Sequence, residues 1–463
     1  MPQLRLLPTA VLGLLLAACT VGPDYHRPEV PGTAAFKLAP DATPAPVLGR
    51  DWWTLFSDPD LTRLSQQVLQ DSQDIQAAIA RLDAARASTQ SARAGYYPSL
   101  NFDPSARRSR SSGAKGTTAN SFSLPLDLSY EIDLWGQIRR QYENAKNLEA
   151  ASADDLEFVR QTTLADLAQN YFTLRSYDAE AGILEQTLDL FNQQLVLTQT
   201  RFTTGLSAKT DVLTVQNQID SARNQLMEVR RSRAREEHAI AILLGLPPAG
   251  FALEPKTVAM AAPVVPPGLP PTLLSRRPDV AAAEHQLIAA NALVGVAQAG
   301  FYPTLSLTGS AGLQSVNLNS LANWQSRVWS LSPGLTLPIF AGGKITAAVA
   351  QARANYAALV AAYRTAVLGA YRDVEDELSD LQYLKSESEA LDQTLANAKE
   401  NRALLVVQYQ QGIASSLDLI TADQTELTTR LNIENTRNQR LAATVLLLKA
   451  LGGGWTPPPD SPP

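Results

Sequence analysis

The chain has 463 residues, of which 45% are hydrophobic and 18% charged, and its formal net charge at pH 7 is −6. This length accommodates two or three domains, and the hydrophobic content predicts an ordered chain. The acidic balance argues against a nucleic-acid partner. One short basic run lies among Ser and Gly residues, which predicts a solvated loop (Arg107, Arg108, Arg110 and Lys115).

Residues 1–18 have the layout of a secretory signal peptide. Arg5 precedes an apolar run that is too short to span a bilayer. Cys19 is the only cysteine, so a disulfide within the chain is excluded. LLAAC looks like a bacterial lipobox, whose cysteine is acylated (palmitate) and becomes the mature N-terminus. The alternative is a cysteine that follows a signal by chance.

The residue after the cysteine is Thr20 rather than Asp, which is similar to known bacterial lipoproteins exported to the outer membrane. We therefore predict a lipid-anchored N-terminal segment over residues 19–60. No later run of 18 apolar residues exists, which predicts that no helix crosses a bilayer.

The rest of the chain is an internal duplication. RAGYYPSLNF (93–102) matches QAGFYPTLSL (298–307), and RFTTGLSAKTDVL (201–213) matches QYQQGIASSLDLI (408–420), at offsets of 205 and 207 residues. The two copies cover residues 61–246 and 272–452. A Pro-rich linker (247–271) joins them, and a Gly/Pro-rich tail (453–463) ends the chain.

Each copy predicts a helix, a β-hairpin, a long helix and a shorter returning helix. The first helices are predicted over Leu61 to Gly95 and Pro278 to Gly300, and the hairpins over residues 96–135 and 301–341. Each long helix occupies a 69-residue interval that contains no proline and ends at a turn near Gly205 or Gly412. At 1.5 Å per residue each would reach about 100 Å. Apolar residues recur at threes and fours, as in coiled coils (Leu167, Tyr171, Leu174, Ala181, Leu184, Leu188, Phe191 and Leu195).

The hairpins read as amphipathic strands. From Phe122 to Leu134 every even position is apolar, and the odd positions are polar, charged or Pro. Four such strands of 10 to 15 residues are long enough to cross a hydrocarbon core. A sheet in lipid cannot leave open edges, and four strands cannot close, so the chain is expected to pool strands with other copies. A soluble amphipathic sheet covered by helices is the alternative.

If the even face meets lipid, the acids at odd positions point into a water-filled lumen (Asp127, Glu131 and Asp133). Aromatic residues at the strand–helix junctions fall at one end of the sheet and predict an interfacial girdle. They are Tyr96, Tyr97, Trp135, Phe301, Tyr302 and Phe340.

No catalytic constellation is present. The three histidines, His26, His238 and His285, lack metal-ligand spacing, and no nucleophile or phosphate-binding motif stands in the required context. We predict a protein that is not an enzyme and that has no cofactor.

Several stretches resemble one family, the outer-membrane factors or TolC-like outer-membrane efflux channels, in their lipoprotein (NodT/OprM-like) branch. They are LAAC with VGPDYHRP (21–28), DWWTLFSDPDL (51–61), YEIDLWG (130–136), LLSRRPDV (273–280) and GFYPTLSL (300–307). Their order and spacing cover essentially the whole mature chain.

The resemblance implies a membrane α+β fold. Three identical chains would form a 12-stranded transmembrane β-barrel continued by a long periplasmic α-helical barrel. It implies a bacterial outer-membrane location and a passive export duct for drugs or other small toxic compounds. The implied partners are a periplasmic adaptor and an inner-membrane pump, usually of the resistance–nodulation–division type.

In such channels the helix–helix turns form the periplasmic gate and the adaptor contact. The corresponding adaptor-contact residues here are Gly205, Leu206, Ser207, Gly412, Ile413 and Ala414. Asp418 matches a family gate aspartate, Asp211 is its repeat-related partner, and Thr421 stands where the family has a second aspartate. The stretch from Ser415 to Asp418 also fits a helix capping box, which is an alternative role for that carboxylate.

Three other functions compete with the duct. A trimeric coiled-coil lipoprotein adhesin or spacer would need no amphipathic strands. A periplasmic binding module would need a compact pocket, which the long helices do not predict. An outer-membrane duct for a type I secretion system would share the whole architecture.

Overall fold

The computed structural model describes residues 20–32, 35–39, 49–112, 116–257, 261–266, 268 and 276–457. In these ranges the α-helices are α1 (Pro59–Asp71), α2 (Gln73–Ala94), α3 (Gln137–Thr203), α4 (Lys209–Leu243), α5 (Pro278–Ala299), α6 (Lys344–Gln410) and α7 (Ser416–Ala450). The strands are β1 (Ser99–Phe102), β2 (Ser105–Arg110), β3 (Thr118–Ile132), β4 (Thr304–Ser315) and β5 (Arg327–Thr336). Short 3-10 helices cover Trp52–Phe56, Pro248–Gly250, Leu318–Ser320 and Trp324–Ser326.

The helices repeat in pairs of equal length, which confirms the duplication. α2 and α5 each have 22 residues, α3 and α6 each have 67, and α4 and α7 each have 35. Strands separate α2 from α3 in the first copy and α5 from α6 in the second, as predicted.

The predicted single helix from Leu61 to Gly95 is wrong, because Ser72 interrupts it. Ser72 has an extended backbone (ψ 126°), so α1 ends at Asp71 and α2 begins at Gln73. α1 begins with Pro59, and the Asp58 carboxylate accepts hydrogen bonds from the next two free backbone N–H groups.

The chain divides into two compact units. The first contains Met1–Glu29, Arg81–Ala153 and Ala282–Thr365, and therefore the sheet and the adjoining helix ends. The second contains Val30–Ala80, Asp154–Ala281 and Ala366–Pro463, and therefore the remaining helical segments and both helix–helix turns.

The sheet of the first unit is antiparallel, with β3 and β4 central and β5 at one edge; β1 and β2 both pair with the other side of β3. Its register places the even residues of β3 opposite odd residues of β4, as in the pairs Leu124–Leu313 and Ile132–Leu305. One face therefore carries most of the apolar side chains of the strands, and the other carries mainly Ser and Thr, with Asp127 and Glu131. This agrees with the predicted alternation.

The first strand is not continuous, which corrects the expectation of four strands of 10 to 15 residues. It is divided into β1, with 4 residues, and β2, with 6 residues. Pro104 lies in the interruption and has no backbone N–H to donate to the ladder. The predicted solvated loop is wrong for the same region, since Arg107, Arg108 and Arg110 belong to β2.

Helix α5 is long and apolar enough to cross a membrane by length and composition, with a mean hydropathy of 1.3 over its most apolar window. However, 61% of that window is buried within the protein. Its small residues allow close packing, because a Cβ on Gly22 would lie 2.5 Å from Gly295 Cα. The burial favours a core helix over a membrane span.

The helices of the second unit pack with the predicted coiled-coil spacing. Phe191 on α3 forms an apolar cluster with Val215, Ile219 and Ala222 on α4 and with Ile420 on α7. A second cluster contains Leu184, Leu226 and Leu427. All eight side chains are at most 9% exposed, so burial of this heptad face is the main term that holds the helices together.

Candidate functional site

Both helix–helix turns of the second unit are closed by a glycine with a left-handed backbone. Gly205 has φ +77° and Gly412 has φ +80°. The following N–H groups, of Leu206 and Ile413, donate to carbonyls five residues earlier, at 2.7 and 2.9 Å. This Schellman arrangement ends the long helix and reverses the chain.

The turns present apolar side chains to solvent. Leu206 is 70% exposed and Ile413 is 72% exposed. Ser207 is half-buried, and its hydroxyl donates to the Thr198 carbonyl at 3.4 Å. Ala414 is also half-buried. Each turn thus exposes one large apolar side chain.

Asp418 forms the capping box. Its Oδ2 accepts from the Ser415 N–H at 2.9 Å and from the Ser415 hydroxyl at 2.7 Å, and that hydroxyl accepts from the Asp418 N–H at 3.2 Å. These bonds hold the pKa of the Asp418 carboxyl below its ordinary value, so the exposed group is a carboxylate at neutral pH.

Asp211 has the equivalent position in the first copy but a weaker cap. Its Oδ2 accepts from the Ala208 N–H at 3.3 Å, and Ala208 has no hydroxyl to complete the box. Thr421 is exposed, and its hydroxyl donates to the Leu417 carbonyl of the preceding turn.

Sequence reasoning missed an ionic network beyond the second turn. Arg402 Nε on α6 lies 2.6 Å from Asp423 Oδ1 and 3.6 Å from Glu426 Oε2 on α7, and Arg430 lies 2.6 Å from Glu426 Oε1. Asp423 is only 7% exposed, and its burial raises the pKa of its carboxyl while Arg402 opposes that rise. The spacing of Asp423, Glu426 and Arg430 along one helix face was visible in the sequence. Their partner on α6, Arg402, was not.

A second contact that the sequence did not reveal joins the ends of the two long helices. Arg201 Nη1 on α3 donates to the Tyr409 carbonyl on α6 at 2.7 Å, and its guanidinium lies 4.6 Å from the Tyr409 ring centroid. The Tyr409 hydroxyl is 3.5 Å from the Thr198 hydroxyl. No sequence motif could reveal this contact, because Arg201 and Tyr409 lie on helices that are distant in sequence.

The six junction aromatics divide into packed and exposed residues. Trp135 lies 4.8 Å from Tyr302 and donates its Nε1–H to the Pro303 carbonyl at 2.7 Å. Tyr96 packs edge-on against Tyr142 at 5.6 Å. Tyr97, Phe301 and Phe340 are exposed, the last at 91%. An amphipathic ring with one hydrogen bond and one apolar side suits a membrane interface.

Asp133 is not a lining residue of the sheet, which corrects its predicted pore-facing role. β3 ends at Ile132, and the Asp133 carboxylate accepts from the backbone N–H groups of Ile138 and Arg139 at the start of α3. It also lies 3.2 Å from Arg139 Nε. A carboxylate at a helix N-terminus satisfies free donors and the helix dipole, which outweighs the strand alternation. Asp127 and Glu131 do lie on the polar face of the sheet.

The N-terminal segment is fastened to the same junction. The Val21 N–H donates to the Trp135 carbonyl at 3.0 Å, and a Cβ on Gly136 would collide with Thr20. Further on, Arg27 forms a bidentate pair with Glu284 at 2.6 Å. Cys19 and the predicted signal peptide lie outside the described residues.

Comparison with known proteins gives consistent matches over nearly the whole chain. The profile of the family described as "Outer membrane efflux protein" matches residues 64–246 and 269–453, one segment in each copy of the duplication. The outer membrane protein OprJ of Pseudomonas aeruginosa is 31% identical over 458 residues, covering 96% of this chain and 95% of that protein.

Two further matches support the same conclusion. The toluene efflux pump outer membrane protein TtgC of Pseudomonas putida is 30% identical over 463 residues, covering 97% of this chain and 96% of that protein. The solved structure of the outer-membrane channel OprN has a TM-score of 0.90 and 28% identity, covering 95% of this chain and all of that one.

Proposed function

The chain belongs to the outer membrane efflux protein family and is an outer-membrane efflux channel; from this premise we propose that three copies form the exit duct of a tripartite efflux pump. The observation that carries the proposal is the sheet, which is apolar on one face and has two unpaired edges, β5 and the β1/β2 strand. A coiled-coil adhesin or spacer has no use for such a sheet.

The edges determine how the sheet closes. A single chain supplies four strand positions across the sheet, too few for a barrel. Because β5 and β1/β2 run antiparallel, the β5 edge of one copy is suited to pair with the β1/β2 edge of the next. Three copies of four positions give twelve strands and leave no open edge in lipid.

The polar face of the sheet supports a water-filled lumen. Cross-strand rows such as Ser129–Thr308–Ser332 and Asp127–Ser310–Ser330 run along it. Glu131 lies on the same face. The hydroxyl groups of these rows hydrate the duct, and the carboxylates of Asp127 and Glu131 favour passage of neutral or cationic compounds over anions.

We propose that Cys19 carries lipid that inserts at the level of the junction aromatics. The supporting contact is at Val21, two residues after Cys19. The Val21 N–H donates a hydrogen bond to the Trp135 carbonyl, and the Trp135 ring packs against Tyr302. The anchored end, the aromatic girdle and the start of the long helices then share one membrane face, the periplasmic one.

The two helix turns are the proposed periplasmic gate and adaptor contact. The exposed Leu206 and Ile413 supply apolar contact area, and the half-buried Asp211 and the exposed Asp418 bring like charges together under trimer symmetry. The proposed partners are a periplasmic adaptor and an inner-membrane pump of the resistance–nodulation–division type. Since one relative is named for toluene, small apolar toxicants are the proposed cargo.

Single-channel recording tests the duct directly. The purified full-length protein in planar bilayers is expected to give discrete openings, and deletion of its gene is expected to sensitise cells to toluene and to apolar antibiotics. If the purified protein gave no openings, the proposal that it forms an exit duct would be wrong. Loss of a secreted protein, with unchanged toxicant sensitivity, would instead support a type I secretion duct.

The gate is tested by separating the charge of Asp418 from its cap. Asp418→Asn removes the charge, and we expect larger single-channel conductance and greater antibiotic uptake. Ser415→Ala breaks the cap but keeps the charge, so it serves as the matched control and should leave conductance near that of the unmodified protein. Equal conductance in the unmodified protein and both variants would show that the Asp418 carboxylate does not gate the channel.

A further inference from the structure

The apolar face of the sheet ends in arginines at the hairpin ends of the strands, the ends farthest from the helices. Ala106 pairs with Phe122, so the even-numbered residues of β2 lie on the same face as the apolar residues of β3. Arg108 and Arg110, two and four residues beyond Ala106, therefore continue that face. Arg327 of β5 pairs with Leu313 and also lies on it.

These arginines have no acidic partner among the described residues. No described side chain forms an ion pair with any of the three, and Arg327 only stacks its guanidinium 3.5 Å from the Trp324 ring centroid. Residues 304–340 contain no Asp or Glu, and the acids of β3, Asp127 and Glu131, lie on the opposite face. Three unneutralised cations beside an apolar surface call for an external anion.

The level of Arg108 and Arg110 matches a lipid headgroup region, while Arg327, paired with Leu313 and so level with Leu124, lies at the last residues of the apolar band. From Ile132 to Phe122 the apolar face extends over ten residue steps, about 33 Å along the strand. At the usual tilt of barrel strands this is about 25 Å of height, the apolar band of outer-membrane barrels. Arg108 stands one pair beyond Phe122 on this face, and Trp329, 81% exposed, is an aromatic neighbour of Arg327.

We propose that Arg108, Arg110 and Arg327 bind the phosphate groups of phosphorylated glycolipids in the outer leaflet. This rests on the proposed placement of the strands in a barrel. A guanidinium fork matches the oxygens of a phosphate in a bidentate manner, and its apolar stem lies along acyl chains.

The proposed closure of the barrel concentrates the arginines. When the β5 edge of one copy pairs with the β1/β2 edge of the next, Arg327 of the first copy comes to the same seam as Arg108 and Arg110 of the second. One seam per pair of copies then offers a basic site with apolar flanks (Ala106, Trp329 and Leu331). These flanks favour a lipid over a soluble polyanion, which would gain nothing from them.

Arg107 provides a matched control. It lies on the same strand between the other residues but pairs with Ser121 on the polar face. Arg107→Gln therefore changes the net charge as much as Arg108→Gln does, without touching the lipid-facing side.

The test measures binding of diphosphorylated lipid A to the full-length trimer in detergent micelles, by native mass spectrometry. Loss of one guanidinium–phosphate bond is expected to weaken binding about tenfold, so Arg108→Gln with Arg110→Gln should weaken it about 100-fold. Arg327→Gln should weaken it about tenfold, and Arg107→Gln less than about twofold. Dephosphorylated lipid A and inorganic phosphate should both bind far more weakly than the diphosphorylated lipid.

Several results would overturn the site. Equal affinity of the unmodified protein and the double variant excludes these arginines, and equal affinity for phosphorylated and dephosphorylated lipid reduces the contact to acyl chains. If the double variant fails to assemble, Arg108→Lys with Arg110→Lys keeps the charge without the fork and should bind with intermediate affinity; unchanged affinity there contradicts bidentate recognition. Conductance in planar bilayers is expected to be unaffected in every variant, which separates failure of this site from failure of the duct.

Discussion

The helical hairpins α3–α4 and α6–α7 occupy corresponding places in the duplication, but their interiors differ in chemistry. In the first, Leu195 and Ile219 belong to the apolar cluster around Phe191. In the second, the residues 207 positions later are Arg402 and Glu426, which join Asp423 in an ionic network. At this level of the two hairpins, the first copy buries apolar side chains where the second copy pairs charges.

The difference shows what a duplicated fold conserves. Helix lengths and the glycine turns are the same in both copies, because backbone geometry requires them. The interior is free to change, provided that each layer remains complementary. An apolar layer tolerates the loss of one side chain as a cavity, whereas an ionic layer requires both partners.

The largest effect is expected from breaking the ionic layer. Arg402→Ala leaves the Asp423 carboxylate buried without its cation, which should lower the free energy of unfolding by about 3 kcal/mol. Denaturant unfolding of the detergent-solubilised protein measures this. The triple change Arg402→Leu, Asp423→Gln and Glu426→Ile copies the apolar chemistry of the first hairpin and should recover most of the loss. A triple variant as unstable as the single one would falsify the equivalence of the two interiors.

The turns should respond alike, because they share their backbone geometry. A side chain at Gly205 or Gly412 meets no atom within 4 Å, so the cost of Gly205→Ala or Gly412→Ala is that of the left-handed backbone alone, about 1–2 kcal/mol. Gly182→Ala, within α3 and also in open space, is the control and should stabilise by up to about 1 kcal/mol. Thermal unfolding compares them; a twofold difference between the two turns would contradict the prediction.

Substitutions at the two N-caps should change the stability of the protein in opposite directions. Ser415→Ala removes the acceptor for the Asp418 N–H and should cost about 1 kcal/mol. Ala208→Ser supplies the missing hydroxyl in the first copy and should stabilise by about 0.5 kcal/mol. Shifts of the same sign in a thermal melt would show that the two caps are not related as the structure indicates.

A smaller, pH-dependent difference is expected at Glu377, whose repeat-related residue is Asn170. Burial, with Asp380 and Asp376 nearby, raises the pKa of Glu377 to about 7. Because the pKa of Glu377 is higher in the folded protein than in the unfolded chain, ionisation of this carboxyl destabilises the folded state. The destabilisation is absent below the pKa that the carboxyl has in the unfolded chain and is complete above pH 7. Glu377→Asn should therefore stabilise the protein more at pH 8 than at pH 4, by about 1 kcal/mol after solvent screening. A pH-independent gain would point to packing instead.

Much of the architecture followed from local patterns. The period-two alternation from Phe122 to Leu134 predicted an amphipathic strand, and proline-free intervals of equal length predicted the paired long helices. The glycines at 205 and 412 predicted left-handed turns. These features are encoded by neighbouring residues, so a sequence alone displays them.

Local competition explains the wrong predictions. Asp133 continued the strand alternation but lies within reach of the first free N–H groups of α3, and the cap prevailed. Pro104 interrupted a strand that the alternation had extended. Ser72 ended a helix whose apolar spacing continued beyond it.

The sequence by itself determined the order of elements, the duplication, the two faces of the strands and the family resemblance. Tertiary structure alone decided which distant side chains meet, as Arg402 with Asp423 and Arg201 with Tyr409, and which edges of the sheet stay unpaired. Side-chain periodicity and backbone preference act within a few residues, whereas an ion pair or a free sheet edge depends on residues brought together from distant parts of the chain.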